Sequence, residues 1–433
     1  EATSQDLFVS EALKRLGPLV QQAELLAAQY DAVVANPPYM GAKFMNAEVK
    51  RFAKESFPDA KSDLFACIME RGYVLAKTFG HTAMVTMESW MFLASYENLR
   101  GKILERHTLR SLAHFPYDGK RPTAMGINFG VAVMTVQNSH VDGYLGHYSC
   151  SRHFELRDDG VPLEFPTPNE RLNFVSAEDL KKIPGAPIAY WLSATSTELF
   201  SGRKVGDLAQ VRGGLTCGDT DRFVRRWQEV PRRTIGVGFA TAELAKKSAQ
   251  RWFPFNRGGD FRKWFGNIEY LVNWEDGGRE ILATGKAFPR SKDKYFRSSA
   301  ACSGITSGAT SFRYYPEGFV VDVNTRASFA VDHSTSIVIL GFGNTCVAAH
   351  YVAALNPTLA FNAGQLESLP LPDSVSFERV AGLGAKCIDL AERDWNAYER
   401  SWDFQSLPLL TASTDSTPTL ESSYTAWITQ NRD

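Results

Sequence analysis

Apolar residues recur at helical spacing from Leu7 to Ala27, through Leu13, Leu16, Leu19, Val20, Ala23 and Leu26. They predict an opening helix that is broken or kinked at Gly17-Pro18. The apolar run Ala32 to Ala35 then reads as a short buried strand, stopped at once by Pro37-Pro38. Residues 43–61 are polar and basic (Lys43, Lys50, Arg51, Lys54, Lys61), as in a mobile loop or surface helix. A second helix is expected from Asp63 to about Thr78, with Ser62 as its cap and Phe79-Gly80 closing it. Strand 82–87, a helix over about 90–105, strand 108–115 and strand 129–136 follow. This succession is the second half of a Rossmann-like sheet that ends in an antiparallel pair.

Beyond this the texture changes. Residues 141–195 carry prolines 162, 166, 168, 184 and 187 and read as a connector. From about 200 come short strands, glycines and aromatics, including the run Ile337-Val-Ile-Leu-Gly341-Phe-Gly343-Asn, taken as a strand or turn. Residues 375–405 look helical, and the Ser/Thr-rich stretch 411–424 looks loosely ordered. The expected organisation is therefore an α/β domain over 1–150 and a connector over 151–199. A mixed β-rich domain over 200–372 and a helical tail over 373–433 complete it.

Composition adds limits. The 433 residues are 44% hydrophobic and 22% charged, as in an ordinary globular protein of two or three domains. Six scattered cysteines give no zinc or disulfide spacing, which points to the cytoplasm. No apolar run approaches membrane-spanning length, so no membrane partner is expected. The first residue is Glu1, as expected for a fragment. Net charge is only −1, yet residues 203–263 hold 14 Lys and Arg against 6 Asp and Glu. That local +8 leaves −9 for the rest and fits a basic face.

The candidate chemistry sits at Asn36-Pro37-Pro38-Tyr39, an acceptor-rich, aromatic-tipped turn at the carboxyl end of a strand. The Asn36 side-chain oxygen and the Pro37 carbonyl can both accept from one NH2 group. Doing so draws the nitrogen lone pair out of conjugation and aims it at an electrophile, while Tyr39 stacks on the ring bearing the amine. Tyr117, then Phe129, is expected to cover the other ring face, and Asp63 and Phe65 to touch cofactor or base. Nothing ahead of Asn36 supplies a glycine-rich cofactor turn, and 337–344 lacks the lead-in for one. Downstream, cations interleave with aromatics. Lys43, Arg222, Arg225, Arg226, Arg251, Asn256, Arg257, Arg262 and Lys263 are expected to bind DNA: Arg and Lys can neutralise phosphates, while Asn, Arg and the aromatics can read base edges or stack.

The four catalytic-turn residues resemble those of amino-methyltransferases that use S-adenosylmethionine on adenine. Further stretches narrow the likeness: Asp59-Ala-Lys-Ser-Asp-Leu-Phe, Met84-Val-Thr-Met-Glu-Ser-Trp-Met-Phe-Leu, Gly218-Asp-Thr-Asp-Arg-Phe, Trp252-Phe-Pro-Phe-Asn and Phe261-Arg-Lys-Trp-Phe. With Asn36-Pro-Pro-Tyr-Met-Gly, the set resembles the PglX family of adenine-specific DNA methyltransferases from the BREX phage-exclusion system. The resemblance implies N6-adenine methylation of double-stranded DNA at a non-palindromic site, with base flipping, marking host DNA as self. It implies S-adenosylmethionine as cofactor, 200–372 as the target-recognition domain, and other BREX proteins or a phage-encoded inhibitor as partners. The chain would be the carboxyl-terminal part of such an enzyme, expected alone to bind the cofactor poorly and to aggregate. Three alternatives stay open: part of a type IIG restriction-modification enzyme, a protein or small-molecule methyltransferase, and a DNA-binding fragment without catalysis.

Overall fold

The computed structural model describes residues 7–431 apart from 118, 124, 153–169, 306–308, 357–360, 373–375, 413–415 and 418. It divides into two units, Glu1–Ser201 and Gly202–Asp433. In the first, β1 (Tyr30–Ala35), β2 (Ala76–Met87), β3 (Thr108–Phe115), β4 (Val131–Gln137), β5 (Leu145–Cys150) and β6 (Asn173–Ser176) form one sheet. Its order is β1-β2-β4-β3-β5-β6. β1 runs parallel to β2 and β3 to β5, whereas β4 is antiparallel to both β2 and β3. The expected antiparallel strand is thus present, inserted between two strands that precede it in the chain.

The helices of this unit are α1 (Leu7–Ala27), α2 (Ala47–Ser56), α3 (Leu64–Leu75), α4 (Glu97–Arg106) and α5 (Ala177–Lys182). α1 is continuous, with Pro18 inside it, so the expected break does not divide the element. Asp63, rather than Ser62, caps α3, accepting from the Phe65 N–H. Phe79 and Gly80 lie inside β2, where Phe79 takes a left-handed φ of 68°. The supposed connector supplies β5 and β6 to the sheet and then α5. Phe65, Met69, Trp90, Leu99, Ile103, Leu112 and Met134 form one core that joins α3 and α4 to the sheet.

Two features of this unit follow from burial. Arg100 is 1% exposed on α4, and its guanidinium donates to the carbonyls of Trp90, Leu93, Gly185 and Ala186 at 2.7–3.1 Å. Burial holds its pKa down at about 10. Among the described residues β1 is the sheet's outermost strand and Val34 is 80% exposed, so a sheet that starts at 32–35 leaves an apolar edge unpaired.

In the second unit β7 (Ala209–Arg212), β8 (Leu215–Thr216), β9 (Val224–Arg226), β10 (Trp252–Asn256), β11 (Tyr270–Asn273), β12 (Phe288–Pro289), β13 (Ser299–Ser303), β14 (Phe312–Tyr315), β15 (Val320–Val321) and β16 (Thr325–Ala330) build three small sheets. Their orders are β15-β10-β11-β9, β14-β13-β16-β7 and β12-β8. The run 337–344, read as a strand or turn, belongs instead to a buried helix, His333–Gly343, capped by Asp332. The long helix Phe377–Asn396 packs on it so closely that a Cβ at Gly384 would lie 2.5 Å from the Ile337 side chain.

Asp322 is 5% exposed, and burial raises its carboxyl pKa to about 6, against the opposing pull of Arg257 and Arg326. A carboxyl group raised on folding is best tolerated protonated. Its contribution is therefore most favourable below the unfolded pKa near 4 and is lost as pH rises through about 6. Stability of this chain is expected to fall across that window, by about 3 kcal/mol from this group. Urea titrations at pH 4, 5, 6 and 7 check it. Asp322→Asn should flatten the profile, and an unchanged slope would remove Asp322 as its origin.

Candidate active site

The turn after β1 is held from three sides. Asp63 Oδ1 accepts from Met40 N at 2.8 Å and from Phe65 N at 3.3 Å, so one carboxylate joins the turn to the start of α3. The backbone adds Leu64 N to Met40 O at 3.1 Å and Ala42 N to Ser62 O at 3.0 Å. Tyr39 donates its hydroxyl to the Val85 carbonyl at 3.1 Å, tying the turn to the end of β2. Its ring meets Phe65 edge-on at 5.9 Å and Phe129 edge-on at 5.3 Å. Desolvation raises the Tyr39 pKa, so its hydroxyl stays a donor. Asn36 and Pro38 are exposed, while Pro37 is buried. The Tyr39 hydroxyl lies 3.4 Å from Asn36 Oδ1, too long to consume that acceptor. The result is a fixed aromatic beside an available amide oxygen.

Sequence comparison places this geometry among known proteins. A family model described as Eco57I restriction-modification methylase matches residues 8–120, the catalytic turn included. The adenine-specific methyltransferase BrxX of Escherichia coli O9:H4 (strain HS) is 37% identical over 421 residues, covering 94% of this chain and 33% of that protein. The adenine-specific methyltransferase PglX of Lacticaseibacillus casei (strain Zhang) is 34% identical over 428 residues, covering 94% of this chain and 35% of that protein.

Over nearly its whole length the chain is similar to proteins named adenine-specific methyltransferases.

It spans about a third of the length of these two relatives. Its fold is also that of the type IIL restriction-modification enzyme MmeI, solved with DNA. The TM-score is 0.53 at 12% identity, covering 92% of this chain and 53% of that one.

Within this chain the expected site residues divide. Phe129, the second choice for the base pocket, is the one whose ring meets Tyr39. Tyr117 lies half-buried two residues beyond β3. Asp63 is 8% exposed with Oδ1 engaged by the turn, and Phe65 is 0% exposed. Both hold the catalytic turn to the start of α3.

The basic residues divide too. Arg222 and Arg251 converge on Glu280, at 2.7 and 3.3 Å. Arg225 donates to the carbonyls of Asp221 and Val224 and lies over Trp252. Arg262 pairs with Asp394 and lies over Trp395, whose ring also carries Arg400. Arg400 in turn pairs with Glu269. Lys263 donates to the Asn344 carbonyl at 2.8 Å. Arg262 and Lys263 are therefore ties within the second unit. Asn256 is 1% exposed, with its oxygen on Thr325, so it presents no edge to a base. Arg226 and Lys43 remain exposed, and Arg257 lies over the Tyr270 ring at 5.4 Å.

One group was not read from the sequence. Glu88, just past β2, donates its N–H to the Gly130 carbonyl at 2.9 Å. Its carboxylate lies 2.6 Å from Nε2 of buried His114, whose Nδ1 is 2.9 Å from the Tyr190 hydroxyl. A Cβ at Gly130 would sit 1.8 Å from the Glu88 carboxyl carbon, so only glycine fits beside Phe129. The available signal was an acidic residue directly ending the apolar run 82–87.

Proposed function

We propose that this chain carries the catalytic turn of a site-specific N6-adenine DNA methyltransferase that uses S-adenosylmethionine. The observation that supports it is the fixed Tyr39 ring beside the open Asn36 oxygen at the carboxyl end of β1. The exposed turn fits the reacting end of such a methyl donor, which supplies an electrophilic methyl group on a sulfonium. Among the described residues no glycine-rich turn precedes β1 to hold its remainder. Asn36 Oδ1 and the Pro37 carbonyl accept the two protons of the target amine and orient its lone pair. Tyr39 stacks on the adenine, which leaves the duplex because its amine cannot be reached while stacked. Phe129 lines the same pocket.

The finer architecture belongs to the same proposal: the first unit is the second half of a Rossmann-like methyltransferase sheet, and the second unit is the target-recognition part. Arg226 and Arg257 are proposed to contact DNA from that part. The whole protein would mark host DNA within a BREX defence assembly in the cytoplasm, alongside other BREX proteins and open to a phage-encoded inhibitor.

Mapping N6-methyladenine in DNA from cells carrying the full-length protein tests this reading. Methylation of one recurring motif is expected, and its absence would overturn the proposal. Tyr39 sharpens it. Tyr39→Phe keeps the stacking face and should retain much of the activity. Tyr39→Ala should lose stacking worth roughly 1–3 kcal/mol, or about 5- to 150-fold in rate. Equal rates for alanine variant and wild type would remove Tyr39 from the pocket.

A further inference from the structure

Immediately beyond the catalytic turn an aromatic ring is held out in solvent. Phe44 is 71% exposed, between Gly41, which bridges to Asp63, and Met45, which is buried in the core. A turn bond from Phe44 N to Gly41 O at 2.8 Å fixes its backbone. Both ends of this short loop are thus anchored while its ring stands exposed. Lys43 Nζ lies 4.7 Å from the centre of the Phe44 ring, so a cation and an apolar face are presented together.

α2 follows directly, opened by Asn46, which caps it through Val49 N at 2.9 Å. Its cations Lys50, Arg51 and Lys54 are all exposed. Helical periodicity groups the three on one side, with Glu48 and Glu55 bordering Arg51 at i−3 and i+4 spacing. Among the described residues these three cations have no carboxylate partner. The contrast with the second unit is sharp, since there Arg222, Arg251 and Arg262 are each paired with a carboxylate.

We propose that Phe44 is the wedge that enters the base stack when the target adenine leaves it, and that Lys50, Arg51 and Lys54 hold the flanking phosphates. The inference rests on the methyltransferase reading and deepens it, assigning duplex DNA to a surface next to the catalytic turn. Charge complementarity selects the polyanion. An apolar side chain inserted between base steps offsets the lost stacking in proteins that deform DNA, and base extrusion leaves such a gap. Phe44 lies eight residues beyond Asn36 in the chain, on a loop whose ends share the supports of the catalytic turn.

The test uses the full-length protein and duplexes carrying its mapped site. With 2-aminopurine at the target position, wild type should raise fluorescence on binding, and Phe44→Ala should raise it much less. Phe44→Ala should also slow methylation of the paired duplex on the order of 10- to 100-fold, and far less when the target adenine is mismatched and already unstacked. Phe44→Leu should recover part of the loss. Replacing Lys50, Arg51 and Lys54 together by glutamine should flatten the log-affinity against log-salt slope by about three units, near 0.9 per contact. Phe44 is exposed, so its variants should fold as wild type does. Wild-type fluorescence and methylation in Phe44→Ala, with Asn36→Ala inactive, would sink the wedge and leave the methyltransferase reading standing. An unchanged salt slope would sink the phosphate assignment of α2. Absence of adenine methylation by wild type would end both.

Discussion

In the full-length protein, Asn36→Ala is expected to slow methyl transfer by about 10²–10³-fold or more while leaving duplex affinity unchanged. The magnitude follows from removing one preorganised hydrogen-bonding group at a reacting centre. Asn36 is exposed at the end of β1, and its only described partner is the Tyr39 hydroxyl at 3.4 Å. Its removal therefore costs the fold little, and the loss should appear in the chemical step. Asn36→Asp keeps an acceptor oxygen and should fall between the two. Single-turnover transfer of labelled methyl groups, with DNA affinity measured in parallel, separates the outcomes. A parallel loss of affinity would place Asn36 in duplex binding instead, and full activity would remove the turn from the chemistry.

Arg100→Leu is expected to destabilise the first unit by roughly 3–5 kcal/mol, the range for leaving buried polar partners uncompensated. The guanidinium serves four carbonyls from two separate segments, residues 90–93 and 185–186. Without it those oxygens lose their donors in a site that is 1% exposed. Each unsatisfied group costs about 1–3 kcal/mol, partly offset because a buried charge is also removed. Arg100→Lys keeps the charge but not the planar fork and should recover only part of the loss. Urea unfolding of wild type and both variants measures this. A leucine variant as stable as wild type would show that water replaces the guanidinium at these carbonyls.

The catalytic turn was legible because its signal is local: an apolar run, two prolines and an aromatic within nine residues. The succession of strands and helices to residue 137 was legible for the same reason. What the sequence hid is non-local. Ile337 to Leu340 is apolar on every side, which suits a buried strand and a buried helix equally. The Asp332 cap and eleven-residue length decide for the helix. β5 and β6 escaped notice because short strands near a sheet edge need no continuous apolar run. The basic stretch misled in another way. Counting charges over 203–263 omits Glu280 and Asp394, which neutralise Arg222, Arg251 and Arg262 from beyond it.

The contact of two guanidinium groups with the one ring of Trp395 has a practical corollary for building chimeras. Arg262 reaches Asp394, Arg400 reaches Glu269, and both cations lie over that one indole. Residues 262–269 and 394–400 are thus a matched pair of seams, although more than 120 residues of chain separate them. A graft that exchanges the sheets of the second unit with those of a relative, but cuts before helix Phe377–Asn396, would leave one half of each pair with a foreign counterpart. Junctions placed beyond Trp402 transfer both halves together and keep the graft self-consistent.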